Sequence, residues 1–202
     1  AIDITGGAPM RDGDDGKPLI YGRPNPWTSY TTIKIDGSNY VFGGRTEKRA
    51  GEGSNYGELV QQPTIKDNRI ITKYKYDQIV VSQILSFVTS TTTGLPDTAE
   101  IRYRVTNRGE EVKKVGTRVM IDTMLGENDG APFRIAKDAV TVDSLYLEKD
   151  LPNFWQAFDS ISSPKVTSQG TFRGAGVTVP DKVYIADWGS LADGSWEFDF
   201  NP

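Results

Sequence analysis

The sequence contains no cysteine and no histidine. Without cysteine there is no disulfide staple and no thiol nucleophile. Without histidine there is no imidazole base, and the usual tetrahedral zinc sites lose both of their main ligands. No apolar run approaches the ~18 residues of a membrane-spanning helix, so no membrane insertion is expected, and no secretory leader is evident. A basic block is missing too. The 27 acidic and 23 basic residues are interspersed and leave a net charge of −4. A protein that grips a phosphate backbone concentrates positive charge, and here the densest basic spot is the pair Lys113 and Lys114, so nucleic acid is not an expected partner. There is no G-x-S-x-G elbow, phosphate loop or dinucleotide fingerprint.

What remains is a chain of 202 residues, 37% hydrophobic, 25% charged and 10% aromatic, with 21 Gly and 11 Pro placed between apolar runs. That composition belongs to a folded globular protein with enough length for a substantial core. It fits one domain spanning 1–202. The abrupt start at Ala1-Ile2-Asp3 and the ending on Phe198-Asp199-Phe200-Asn201-Pro202 lead to the expectation that this domain belongs to a longer protein.

Most of the pattern has period two, the signature of strands with one apolar face. Ala99, Ile101, Tyr103 and Val105 alternate with Glu100, Arg102, Arg104 and Thr106. After a turn at Asn107-Arg108-Gly109-Glu110, the alternation resumes over Val112 to Leu125, with Val115, Thr117, Val119 and Ile121 on one side. A long antiparallel hairpin with these apolar sides turned to the core is expected. Thr31–Ile35 and Asn39–Phe42 flank Asp36-Gly37, and Thr64–Lys66 and Arg69–Tyr76 flank Asp67-Asn68; both are hairpin signals. Ile70, Thr72, Tyr74 and Tyr76 then share a face. Asp77 to Val88 is rich in β-branched residues and reads as a long buried strand. Thr141–Leu147, Val166–Phe172 and Lys182–Ala186 also read as strands, and Pro152–Phe158 as a helical turn placing Trp155 and Phe158. Arg45–Gly57, rich in Gly, Glu and Ser, reads as a mobile loop. No fixed-period repeat is visible. The expected fold is all-β: an antiparallel β-sandwich, plain or of supersandwich type, with little helix.

Four groups of residues could carry chemistry. The run Asp122 to Phe133 is dense in oxygen ligands, and Asp122, Glu127, Asn128 and Asp129 could hold calcium, or simply form an Asn-Asp-Gly turn. Arg11-Asp12-Gly13-Asp14-Asp15-Gly16 could likewise wrap a cation or be a solvated turn. Glu100, Arg102, Arg104, Arg118 and Asp122 would share a sheet face that could bind sugar hydroxyls bidentately or hold cross-strand ion pairs. Of the tryptophans, Trp27, Trp155, Trp188 and Trp196, an exposed ring could stack on a pyranose; at least two are expected in the core. As ligand-binding candidates these observations single out Trp27, Arg102, Arg118, Asp122 and Trp155, with no catalytic residue assigned.

The segments Ile101–Gly109 and Val115–Thr123, with the Asp122–Phe133 loop, resemble the long hairpins of galactose-mutarotase-like β-supersandwich domains in secreted bacterial proteins. The resemblance covers residues 99–133. It implies a sandwich and an association with carbohydrate. Mutarotase activity, which works through His and Glu, is not implied in a chain without His. The expected function is therefore a non-catalytic extracellular or cell-surface module that binds glycans. One alternative is a structural or adhesive module contacting other surface proteins; another is a carboxylate-dependent glycosidase or lyase.

Overall fold

The computed structural model describes residues 4–6, 15–22, 26–45 and 55–202. The chain divides into two compact units. Unit 1 comprises residues 1–29, 121–193 and 197–202, and unit 2 comprises 30–120 and 194–196. The sequence had suggested one domain over 1–202.

Unit 1 opens with strands β1 (Ile4–Gly6) and β2 (Asp15–Pro18), an antiparallel pair. The chain then builds unit 2. β3 (Tyr30–Ile35) and β4 (Ser38–Phe42) form the expected hairpin. Its turn residues Asp36 and Gly37 have φ of 47° and 94°, the left-handed values that a tight primed turn requires and that Asp and Gly tolerate. β5 (Asn55–Tyr56) adds in parallel to β4. β6 (Glu58–Lys66) and β7 (Arg69–Tyr76) form the second expected hairpin around Asp67 and Asn68, at φ 50° and 57°. β8 (Ile79–Val88) is the long strand anticipated for that stretch, and β9 (Thr98–Asn107) pairs with it through an unbroken register. β10 (Val115–Met120) completes the unit.

Two four-stranded sheets result, ordered β10-β3-β4-β5 and β6-β7-β8-β9. They face each other over one core of Ile33, Phe42, Tyr76, Ile79 and Val81, with Ile35, Tyr40, Tyr74, Tyr103 and Val115 packed around it. This is a β-sandwich. Aromatic rings lock the sheets: Phe42 meets Tyr74 at 5.0 Å and Tyr103 at 5.6 Å between ring centroids, and Tyr40 meets Tyr76 at 5.2 Å. The Tyr103 hydroxyl lies 2.6 Å from Thr31 Oγ1 in the opposite sheet and accepts from Gln83 Nε2 at 2.6 Å, so its polar end is satisfied inside the sandwich.

The expected hairpin of 98–107 with 115–121 does not form. β9 pairs with β8, and β10 pairs with β3 in the other sheet. Period two fixes which face a side chain occupies but not which strand lies alongside; the segment from Arg108 to Lys114 crosses between sheets instead of turning back. On β9 Tyr103 packs into the core as expected, but Val105, expected on the same buried face, is 40% exposed. On β10, Val115, Thr117 and Val119 do share the side of Ile35, Ile33 and Thr31. Because β10 is an edge strand, Val119 is nevertheless 47% exposed, and Ile121, just past the strand, is 41% exposed. Neither is the core residue expected.

Unit 1 resumes with β11 (Phe133–Ile135), β12 (Asp138–Val140), β13 (Ser144–Leu147), a 3-10 turn at Glu148–Asp150, β14 (Phe154–Phe158), β15 (Thr167–Thr171), β16 (Lys182–Ile185) and a single helical turn, α1 (Trp188–Leu191). The sheets are β12-β11-β14-β15 and β13-β16. Pro152–Phe158, expected to be helical, contains strand β14: Phe154, Trp155, Gln156, Ala157 and Phe158 pair residue by residue with β15. Trp155 touches both apolar clusters of the unit, one built on Leu125, Ala131, Ala157 and Val166, the other on Ile135, Leu151 and Phe172. At the carboxyl end Phe198 and Phe200 pack edge-on against Tyr184 of β16. None of the four tryptophans is fully buried. Of the expected mobile loop Arg45–Gly57, residues 46–54 lie outside the described residues; Asn55–Tyr56 is β5. Arg11 to Asp14, four of the six residues of the N-terminal acidic candidate, also lie outside them.

Candidate functional site

The residues of unit 1 around Asp122 form an organised polar group. The 122–126 backbone is fastened to 18–21: Tyr21 N donates to Asp122 O at 3.0 Å, Met124 N to Leu19 O at 3.4 Å and Gly126 N to Pro18 O at 3.0 Å. The Leu125–Asn128 turn closes on itself with reciprocal 3.0 Å hydrogen bonds. Asp122 N donates to Ser29 Oγ at 2.9 Å, which ties the aspartate to the Trp27-Thr28-Ser29 turn.

That turn brings in the aromatics. Trp188 Nε1 donates to Thr28 O at 3.2 Å. The Trp27 and Trp188 rings meet edge to face, centroids 6.2 Å apart at 89°, a favoured geometry for two quadrupoles. Asp187 caps the short helix through Ser190 N at 3.3 Å, while its own N–H donates to Asp143 Oδ1 at 3.1 Å, so Trp188 is held from both ends.

The electrostatics follow from this packing. Desolvation raises the Asp122 pKa above the ordinary carboxylate range; the Thr28 hydroxyl draws it down, and the negative charges of Asp129 and Asp187 push it further up. Thr28 is buried, and its hydroxyl leans on the Asp122 carboxyl without completing a hydrogen bond of regular geometry. Asp122 is thus a half-buried carboxylate that feels the charges of Asp129 and Asp187 and is linked through Thr28 and Ser29 to the turn carrying the perpendicular indole pair. Such a set can accept hydroxyl protons at the carboxylate and offer an aromatic surface to C–H groups.

The structure brings together Trp27, Asp122 and Asp129 from the residues singled out in the sequence, and adds Thr28, Asp187 and Trp188. The others lie elsewhere. Arg102 is on β9 and bonds Glu100 Oε1 at 2.5 Å on the solvent side of its sheet. Arg118 is on β10, in the opposite sheet, and donates to Gly194 O at 2.6 Å. Trp155 lies flat over Gly170 in the next strand and against Phe133 at 5.4 Å. Glu127 is exposed, and Asn128 Nδ2 donates to Asp159 O at 2.8 Å, bracing the turn. Among the described residues no group of three or more acidic side chains converges in cation-binding geometry. The signal for Trp188 was present in the sequence as a tryptophan directly after a helix-capping aspartate, but nothing local could pair it with Trp27, 161 positions away (188 − 27).

Fold and site together define an all-β protein with little helix, a β-sandwich in unit 2 and an aromatic–carboxylate cluster in unit 1. No protein-family model, no curated protein and no solved structure matches the chain.

Proposed function

We propose that this protein is a non-catalytic β-sandwich module, extracellular or at the cell surface, that binds carbohydrate at the Trp27–Trp188–Asp122 cluster. The observation that carries the reading is a perpendicular indole pair joined through Thr28 to a half-buried carboxylate. A pyranose presents an apolar C–H face and an equatorial rim of hydroxyls. An indole covers the first, and a carboxylate accepts from two adjacent members of the second. Asp122 held on Ser29 and beside Thr28 supplies an acceptor whose position is fixed before the ligand arrives, which lowers the ordering cost of binding.

The test is a glycan array followed by calorimetry on the hits. Trp27→Ala and Asp122→Asn should each weaken binding by about tenfold or more, with unchanged far-ultraviolet circular dichroism. Absence of any retained glycan, or affinity indifferent to Trp27→Ala, sinks the proposal. A second reading is favoured by one feature: a carboxyl group raised by burial and by two neighbouring carboxylates has the electrostatics of a general acid for glycoside cleavage. Release of reducing ends from a bound glycan, abolished by Asp122→Asn, would move the protein to that class.

A further inference from the structure

The sheet β6-β7-β8-β9 has two outer edges, and they are built differently. β6 carries Pro63, which has no N–H to offer, and its register with β7 shifts twice, between Leu59 and Gln61 and between Gln61 and Thr64. Proline and bulges are the devices by which sheets keep an edge from pairing with another chain. β9 has neither. Its ten residues, Thr98–Asn107, pair with β8 without a break. Among the described residues nothing pairs with its outer side.

The inner face of the same sheet is longer than the core it helps to form. β8 is buried over Ile79–Ser82, half-buried over Gln83–Ser86 and exposed at Phe87 and Val88. Beyond the core runs a straight cross-strand row, Ile65, Ile70, Leu85 and Ile101, each directly opposite the next. At its β6 end Ile65 is 79% exposed, and beside the row Phe87 is 60% exposed. The row ends abruptly at Ile101 on the open edge.

The outer face of β9 says what can join it. Glu100, Arg102 and Arg104 run − + + along the strand. Laid antiparallel against a second copy with Ile101 opposite Ile101, the strand sets each Glu100 opposite the other copy's Arg102, twice by symmetry, and Thr98 opposite Arg104. No like charges meet. The next register that keeps the faces aligned sets Arg102 against Arg102. The charge pattern therefore selects the first. In that register the aliphatic row runs through from one copy to the other, four side chains from each.

We propose that β9 is a self-pairing edge: two copies join antiparallel through β9, centred on Ile101, to give one continuous eight-stranded sheet with a two-fold axis. Backbone hydrogen bonds along Thr98–Arg104 supply the attraction, the Glu100–Arg102 pairs set the register, and the extended apolar row is buried at the junction.

Because the chain has no cysteine, one introduced thiol reports on its own copy alone. In an antiparallel pair, opposed Cα atoms stand about 4.5–5.5 Å apart, within disulfide reach. Ile101→Cys should give a covalent dimer under mild oxidation by oxidised glutathione, and Thr106→Cys should not. Sedimentation from about 1 µM to about 1 mM should show a concentration-dependent dimer. Arg102→Glu, an exposed substitution that leaves the core intact, should weaken it about tenfold by opposing carboxylates twice. Adding Glu100→Arg to that variant should restore it. A monomer throughout the range, association indifferent to Arg102→Glu, or equal cross-linking at 101 and 106 overturns the proposal.

Discussion

Asp122 and Asp159 belong to the same unit, and their surroundings drive them in opposite directions. Desolvation works against the charge on both. At Asp159 it is outweighed by backbone N–H groups of Val166, Lys165 and Ser160, all aimed at the carboxylate, and the pKa falls. At Asp122 the one hydrogen-bonding aid is Thr28, and like charges add to the burial cost, so the pKa rises. The consequence for stability has a definite sign. Between the ordinary aspartate value and the raised value, the folded state holds more protons than the unfolded one, so stability falls as pH rises through that window, and the penalty is fully present above it. Asp122→Asn should therefore melt higher than the wild type near neutrality, and the gap should close as the pH is lowered through the acid range. Thermal melts from about pH 3 to about pH 7 measure this. A residue that lowers stability where it stands is the kind retained for binding rather than for folding.

Among the elements, tryptophan and glycine act as partners across strands. Trp155 of β14 lies over Gly170 of β15, its direct pairing partner, and Trp196 lies over Gly116 of β10. A Cβ on Gly116 would come within 2.7 Å of the Trp196 ring. Gly116→Ala should therefore cost about 1–3 kcal/mol, the range for overpacking a well-filled site, read from a chemical denaturation midpoint together with a changed tryptophan emission. A stability within a few tenths of a kcal/mol of wild type would mean that the ring moves aside freely. These pairings also show where local pattern stopped being informative. The β3–β4 and β6–β7 hairpins were legible because the strands adjoin their turns in sequence and the turns carry Asp, Asn or Gly at left-handed positions. β9 and β10 were legible as strands but not as belonging to separate sheets. β11 and β12 are three residues each, too short for alternation to register, and the turn at Ala136 adopts φ 54° without the glycine that would have announced it. The β14 run Phe154-Trp155-Gln156-Ala157-Phe158 hides its alternation because Trp155 and Ala157 pack into the apolar clusters while two further rings, Phe154 and Phe158, stand with Gln156 on the other side.

At the scale of the whole molecule, the chain's path interleaves the two units: it leaves unit 1 at Ser29, builds the sandwich, re-enters at Ile121, and returns Gly194–Trp196 to unit 2 before finishing in unit 1. The last nine residues thus serve both. Gly194 O accepts from Arg118 and from the Tyr30 hydroxyl, and Trp196 packs over Gly116 with Lys34 Nζ 5.2 Å from its ring, while Phe198 and Phe200 cover Tyr184. Truncation after Asp193 removes three large aromatic side chains. It should lower stability by about 3 kcal/mol or more, seen as a drop of the thermal midpoint; an unchanged melt would show that the tail is decoration. The sequence disclosed the all-β class, the strand pattern and the inward side of Tyr103. It could not disclose that Trp27 and Trp188 meet, because their encounter depends on the closing of unit 1 around residues far apart in the chain.

The placement of the four indoles gives the chain two built-in optical reporters. Trp155 and Trp196 rest on glycine backbone, and their emission follows the integrity of the sheets beneath them. Trp27 and Trp188 stand against each other, and binding of the proposed ligand at them would change their emission. Replacing one pair with phenylalanine would leave the other to speak alone, so that occupancy and unfolding can be watched separately, in the same cuvette and with no label attached.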